Sequence, residues 1–515
     1  MKLGAHKASR PRTATPRWWV FALLAVIYLY AFPYFGLLKS ANELPRVLTT
    51  EELVDHGHFW IDARLGKLSS RNDLSSSPNG HKYANKPPGP SILAVPAYLV
   101  CKAFGEKSLR VCTWAFRVTA VILPAILFLP FFYRLSRRFT NDERARRATL
   151  VAYALGSPAM VYALLFMSHQ PSAVLAGAAF FAAVAYVHGQ ARRPCLAAFA
   201  TGFFAASSLT MDYQAFLAAF AVGAYLLLRS AARLRALVFS ALGAALPLGL
   251  LMLYQWRAFG SPWKTGYSFA DDPHPRAAFG GMVGLSRTSF WNVSFLPSNG
   301  LFALAPWTIL ALVGFIAIWR SREARRRTGA ESLVCFLIVV AYFVFLSSLD
   351  GYMSRGGWCV GPRYLTTALP FVAWLAAAGL DVAFRRLATS IAALAAVLAA
   401  VVVFVVAATT YPHWPDQMAN PLFDMSFRLL RQGYGVYSVG ALVGLRGFWA
   451  VLPLYVLVAG LALFLVVGRT RRQRVATALA VLVAAATLFG YGRFQRGGAY
   501  ADHAFNYIAA TWEPR

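Results

Sequence analysis

The sequence predicts an all-α polytopic membrane protein of about 13 transmembrane helices, with interfacial helices in its first outer loop. Three observations lead there. Of its 515 residues, 58% are hydrophobic and only 14% charged, where a soluble chain of this length carries about 25%. Mean hydropathy is +0.52. Apolar runs of roughly 17–25 residues recur along almost the whole chain, each long enough to cross a hydrocarbon core of ~30 Å. The basic residues collect in short clusters between those runs.

In chain order the spanning runs are 18–38, 114–133, 148–167, 171–187, 195–211, 213–228, 236–256, 301–319, 332–348, 364–383, 388–410, 449–468 and 475–491. The pair 195–211 and 213–228 is joined at Met211–Asp212 almost without a turn. Merging the two would move every later basic cluster to the other side. The chain therefore divides into a basic, cytoplasmic N-terminus (1–17), a transmembrane domain (18–491) with a first outer loop at 39–113, and an outer C-terminal tail (492–515). The basic N-terminus is not followed by a short apolar stretch and a cleavage site, so no cleaved signal peptide is expected.

The net charge of +30 would suggest nucleic acid in a soluble protein. Here the arginines flank apolar runs, as in cytoplasmic loops beside anionic lipid, and nucleic acid is excluded as a partner. The five cysteines, Cys101, Cys112, Cys195, Cys335 and Cys359, form no CxxC pair. Neither a disulfide framework nor a thiolate zinc site is expected.

The stretch "YANKPPGPSILAVPAYL" (83–99) decides the topology. If 87–104 spans, every basic cluster from Arg134 onward faces outward; if it lies along the surface, all the clusters fall inside. The positive-inside bias selects the second arrangement. Four prolines (Pro87, Pro88, Pro90, Pro96) break the segment, which also suits an interfacial helix. Lys86 then stands at the outer surface, at the start of that helix, where a cation beside free N–H groups suits a phosphate. Its plainer role is a lysine snorkelling to the interface.

Other polar residues gather on the same side. In "NELPRVLTTEELVDHG", Glu43 follows a span directly and precedes an amphipathic helix (Val47, Leu48, Leu53, Val54) that ends near Gly57. Partial desolvation suits such a carboxylate to general-base work; pairing with Arg46 is the plainer alternative. His169, in "FMSHQPS", sits in a turn between spans, open to proton, metal or simple structural roles. Asp212 in "LTMDYQAF" reads the same way, as a functional carboxylate or a helix cap. "SRGGWCVGPRYL" places Arg355 and Arg363 around glycines that permit close backbone approach, and arginine's planar fork matches phosphate oxygens; an ordinary outer turn with interfacial aromatics is the plainer alternative. No Walker loop, GxGxxG, HExxH or GxSxG occurs in a suitable context, so motifs support neither ATP-driven transport nor serine hydrolysis.

"NELPRVLTTEELVDHG" followed by "NGHKYANKPPGPSILAVPAYL" resembles the GT-C membrane glycosyltransferases, in the branch of the protein O-mannosyltransferases and the lipid A aminoarabinose transferase. "GGWCVGPRYL" is similar to a motif of related bacterial membrane proteins. The resemblance is sharp over about residues 40–100 and 350–370. It implies transfer of a sugar, hexosyl or pentosyl, from a polyprenyl-phosphate donor to an acceptor at the outer face of a bacterial inner membrane, with inversion. The family's Asp-Glu pair reads Asn42-Glu43 here, leaving Glu43 as catalytic base. Lys86, with Arg355 and Arg363, would hold the donor phosphate. Arg46, Asn42, Asn85, Asp55, Tyr83 and His169 are the implied acceptor or auxiliary residues. No organic cofactor is implied and a divalent metal is left open, since Asn85 stands where an acidic residue often precedes the lysine. The partners implied are the lipid-linked donor, membrane lipid and an unspecified acceptor. Two alternatives stay open: a lipid or glycan transporter or flippase, and a GT-C-like protein without activity.

Overall fold

The computed structural model describes residues 18–35, 40, 42–68, 73–271, 282–494 and 496–512. The basic segment 1–17 lies outside the described residues. Most of the described residues are helical. Among the described residues, nine helices are long and apolar enough to cross a membrane: Leu109–Ser136, His169–Val187, Pro194–Met211, Arg233–Phe259, Arg322–Ser347, Arg363–Ala383, Leu387–Ala408, Phe448–Val466 and Arg471–Tyr491. This is an integral membrane protein. Three further expected spans are shorter apolar helices, Trp18–Tyr30, Tyr213–Arg229 and Pro306–Arg320.

The run 148–167 is not one helix. Glu143–Ala154, N-capped by the Asp142 carboxylate, is followed by a break and then Pro158–Ala163, N-capped by Ser157. Gly156-Ser157-Pro158 accounts for the interruption, because proline supplies no N–H and restricts the residue before it. Among the described residues, nine of the thirteen expected runs are thus long and apolar enough to span, three hold shorter apolar helices and one is broken; residues 36–38 of the first run lie outside the described residues.

The bundle is layered by burial. In Arg363–Ala383 and Leu387–Ala408, 89% and 72% of the apolar window is buried, against 22% in Arg233–Phe259 and Arg471–Tyr491. The first two form the centre and the last two face outward. Close crossings use glycine on both sides. A Cβ on Gly202 would strike the Ser240 carbonyl and one on Gly243 the Phe199 carbonyl, so these two helices touch backbone to backbone. Gly314 and Gly379 do the same against Leu375 and Leu310. In lipid, where association has no apolar driving force, such small-residue contacts supply the packing.

The segment between Trp18–Tyr30 and Leu109–Ser136 positions the site. Leu44–Asp55 starts with proline in its first turn and ends at His56, before Gly57 at φ +76°. A two-stranded antiparallel hairpin follows, Leu74–Ser76 with Lys82–Ala84, in the register Leu74↔Ala84, Ser75↔Tyr83, Ser76↔Lys82. Its turn runs through Pro78, Asn79 and Gly80, the last at φ +86°. Gly89–Ala103 comes next, a helix of 15 residues. At 1.5 Å per residue it reaches about 22 Å, short of a ~30 Å core. One of its faces packs inward through Ala94, Ala97 and Cys101, while Leu99, Val100 and the following Phe104 are exposed. Such a helix lies along an interface.

Candidate active site

The hairpin's register brings two charges together. The Asn85 N–H donates to the Asp73 carbonyl (3.0 Å), one step beyond the Leu74↔Ala84 pair. Asp73 therefore sits opposite Asn85 and beside Lys86, whose Nζ lies 3.2 Å from Asp73 Oδ1. Asn42 Nδ2 donates to Asp73 Oδ2 (3.2 Å). The Lys86 ammonium also stands 4.7 Å over the Tyr267 ring.

Arg46 enters from the first turns of Leu44–Asp55. Its Nη1 donates to the Asn42 carbonyl at 2.6 Å and to Asn42 Oδ1, and its Nη2 to Ser168 Oγ at 3.3 Å. Ser168 leads to a second carboxylate. Asp212 Oδ2 accepts from Ser168 Oγ (3.3 Å), from the His169 ring Nδ1 (3.1 Å) and from Gln214 Nε2 (3.1 Å). His169 is the first residue of its helix rather than part of the turn, and Asp212 closes Pro194–Met211 at its C-terminal end. With Nδ1 carrying the proton toward Asp212, the His169 Nε2 holds a lone pair; it is buried and has no hydrogen-bond partner. Arg363 completes the ring. Its guanidinium lies 4.9 Å from the centre of the Tyr364 ring and donates to the Tyr364 hydroxyl (3.1 Å), and its Nε is buried without a partner.

Electrostatics link these groups. Burial would raise the Asp73 carboxyl, but Lys86, Arg363 and Arg46 outweigh it and hold Asp73 below the usual carboxylate range. Asp212 is likewise held low against its burial, chiefly by His169 and Gln214 and also by Lys86. Burial disfavours the Lys86 cation, yet Asp73 reverses that and raises it. Burial lowers Arg46 in spite of Asp73 and Asp212. Three permanent cations (Arg46, Lys86, Arg363) thus meet two carboxylates (Asp73, Asp212), and the cluster keeps one positive charge in excess. A buried site with that surplus favours an anion.

Glu43 is placed differently. The Arg117 fork grips it, Nε to Oε1 at 3.0 Å and Nη2 to Oε2 at 2.9 Å. The Phe166 N–H donates to Oε1 as well, and His413 Nε2 stands 3.9 Å from Oε2. Its partner is Arg117, not Arg46. This group lines a small cavity with Ser40 and Thr113.

The remaining expected residues scatter. Asn85 is fully buried and both polar atoms of its side chain lack a partner, directly beside the cluster. Arg355 has a buried, unpartnered Nε, and among the described residues it makes no hydrogen bond or ion pair to Asp73, Lys86 or Asp212. Asp55 lies at the far end of its helix with Arg64, Tyr98 and Lys102. Tyr83 packs on Tyr254 and Phe259 and accepts from Asn79. Asp73, Gln214 and Tyr267 were not expected from the sequence. The signal for Asp73 was the Pro-Asn-Gly turn, which marks a hairpin returning the chain toward Lys86.

No protein-family model matches the chain, and no curated protein matches it. Among solved structures it is similar to ArnT from Cupriavidus metallidurans in the apo state, at 19% identity and a TM-score of 0.49, covering 90% of this chain and 76% of that one. The same protein bound to undecaprenyl phosphate matches at 16% identity and a TM-score of 0.46, covering 91% and 78%. The Archaeoglobus fulgidus oligosaccharyltransferase, in a complex with Zn and sulfate, matches at 14% identity and a TM-score of 0.45, covering 80% of this chain and 55% of that one.

Proposed function

We propose that this protein is a GT-C-like glycosyltransferase that moves a sugar from a polyprenyl phosphate to an acceptor hydroxyl at the outer membrane surface. The observation that carries the reading is the Lys86–Asp73 pair at 3.2 Å inside a cluster with an excess positive charge. A lipid-linked sugar phosphate presents an anion at headgroup depth next to an electrophilic carbon. That chemistry calls for cations at the phosphate and a carboxylate nearby, which is the composition found.

The donor's phosphate would take the surplus charge of Lys86 and Arg363, with Arg355 at the edge of the site. As it draws the ammonium away from Asp73, that carboxylate regains lone pairs. We assign the base to Asp73 in preference to Glu43, because Arg117 and the Phe166 N–H already occupy both oxygens of Glu43. Asn42 stands where the resemblance expects a leading aspartate, and it donates to Asp73. The carboxylate missing at 42 would thus be supplied from the edge of the hairpin. Asp73 removes the acceptor's proton as the hydroxyl oxygen attacks the anomeric carbon. The bond from that carbon to the phosphate oxygen breaks, and polyprenyl phosphate leaves with the electron pair, stabilised by Lys86 and Arg363. Attack opposite the leaving group inverts the anomeric centre. An apolar groove of about 750 Å³, lined by Phe290, Phe302, Phe343 and Leu375 together with Ser286 and Ser347, is suited to a lipid tail.

The test is transfer itself. Purified protein in lipid nanodiscs is incubated with polyprenyl-phosphate sugars, and release of polyprenyl phosphate is followed by mass spectrometry. Turnover by the wild type that Lys86→Met removes supports the reading. Equal turnover by both proteins overturns it.

A further inference from the structure

The opposite end of the helix Leu44–Asp55 carries a second group of ligating side chains, apart from the cluster above. Glu52, His56 and His58 each turn one donor atom to a common point, all within 4.8 Å of one another. His56 Nδ1 lies 3.0 Å and His58 Nε2 3.5 Å from the same oxygen, Glu52 Oε2.

Two of the three are already oriented. Glu52 is 1% exposed, and its other oxygen takes the Arg64 Nε–H at 2.6 Å, which leaves Oε2 free to turn toward the imidazoles. The His58 ring stacks on Trp60 with centroids 3.9 Å apart, and its Nδ1 faces the Trp60 carbonyl at 3.1 Å. A carbonyl only accepts, so Nδ1 carries a proton and Nε2 is the ring nitrogen left to face Glu52 Oε2. A metal ion placed between them would be held by both. An Nδ1–H bonded to a backbone carbonyl is also how metal-binding histidines commonly fix their tautomer.

We propose that Glu52, His56 and His58 bind a zinc ion that fastens the C-terminal end of this helix to the segment after it. One oxygen and two imidazole nitrogens suit a borderline metal rather than calcium or magnesium, which prefer oxygen alone. Zinc bonds of about 2.0–2.1 Å in a tetrahedron put donors about 3.3 Å apart, close to the 3.0 Å and 3.5 Å seen. His56 is 54% exposed, so its ring is free to close the third side, and the fourth position opens to solvent. The helix is 12 residues long, about 18 Å, which keeps the ion away from Asp73 and Lys86. It would act by holding the helix whose first turns carry Arg46.

The test uses the full chain in detergent, stripped with a chelator and titrated with Zn²⁺ against a chromophoric competitor. The expected result is about one zinc per chain and a rise in thermal midpoint on loading. His56→Ala/His58→Ala should weaken binding by more than the about 10–100-fold that loss of an outer-shell partner costs, with an unchanged gel-filtration profile. His503→Ala, on the C-terminal helix, should bind as the wild type does. Cobalt in place of zinc should give the visible bands of a four-coordinate ion, lost in the double variant. A wild type that takes up no zinc, or a double variant that binds as tightly, overturns the site. Stoichiometric binding without a thermal shift overturns the fastening role.

Discussion

Lys86 and Asp73 face each other at 3.2 Å across the open end of a two-stranded hairpin, each the strongest charged neighbour of the other. The ammonium is raised and the carboxyl lowered, so both stay charged through the neutral range. Removing either one changes the other's protonation as well as its position.

Replacing Asp73 by Asn keeps the shape of the side chain and removes its basicity. Turnover should fall by about 10²–10⁴-fold while donor binding persists, measured by single-turnover transfer beside a binding assay with the unreacted lipid. An Asp73→Asn protein as fast as the wild type would return the base to another carboxylate.

Lys86→Met should lower kcat/KM by about 10²–10³-fold. It should also move the acid limb of the pH–rate profile. The cation favours the charged carboxylate, so its loss raises the Asp73 carboxyl and shifts that limb to higher pH. A profile that keeps its limb would separate Asp73 from the rate.

Glu43→Gln is expected to act on stability. It leaves Arg117 buried without its counter-charge, and breaking a buried pair from one side costs about 3–5 kcal/mol. Thermal unfolding in nanodiscs would show this as a lowered midpoint, with residual activity in the folded fraction. Asp73→Asn, by contrast, should lose activity with a smaller thermal effect.

His413 makes the fold acid-sensitive. Burial, aided by Arg117 and Arg363, lowers its pKa to about 4 from an ordinary 6.5 in spite of Glu43. The unfolded chain therefore binds a proton more readily over that interval. Its contribution to stability is complete above pH 6.5 and is lost as pH falls toward 4. Midpoints measured from pH 7 to pH 4.5 should fall steeply in the wild type and less in His413→Gln; parallel slopes would exclude His413 as the cause.

The membrane helices could be read because length and apolarity are local properties. The interfacial helix was legible for the same reason, with charge bias excluding a span. The break at Gly156–Pro158 carried a plain proline signal, yet its apolar flanks on both sides made it read as one run. The site was harder. Glu43 and Arg117 are 74 positions apart, and nothing near either names the other. Lys86 and Arg363 were recognisable as cations beside constrained backbone, and they do share a cluster with Arg46 and His169. Asp73 depends on a strand register, set by pairing across a turn in a stretch with weak hydrophobic pattern. Asp212 was noticed as a carboxylate at a helix junction, but its hydrogen bond to His169 needs two spans to pack side by side.

The short helix Gly89–Ala103 begins three positions after Lys86, with its greasy side turned outward. Under the proposed reading, the depth of the ammonium is then tied to that of the apolar face beside it, and a bilayer of another thickness should change turnover without any change in the cluster.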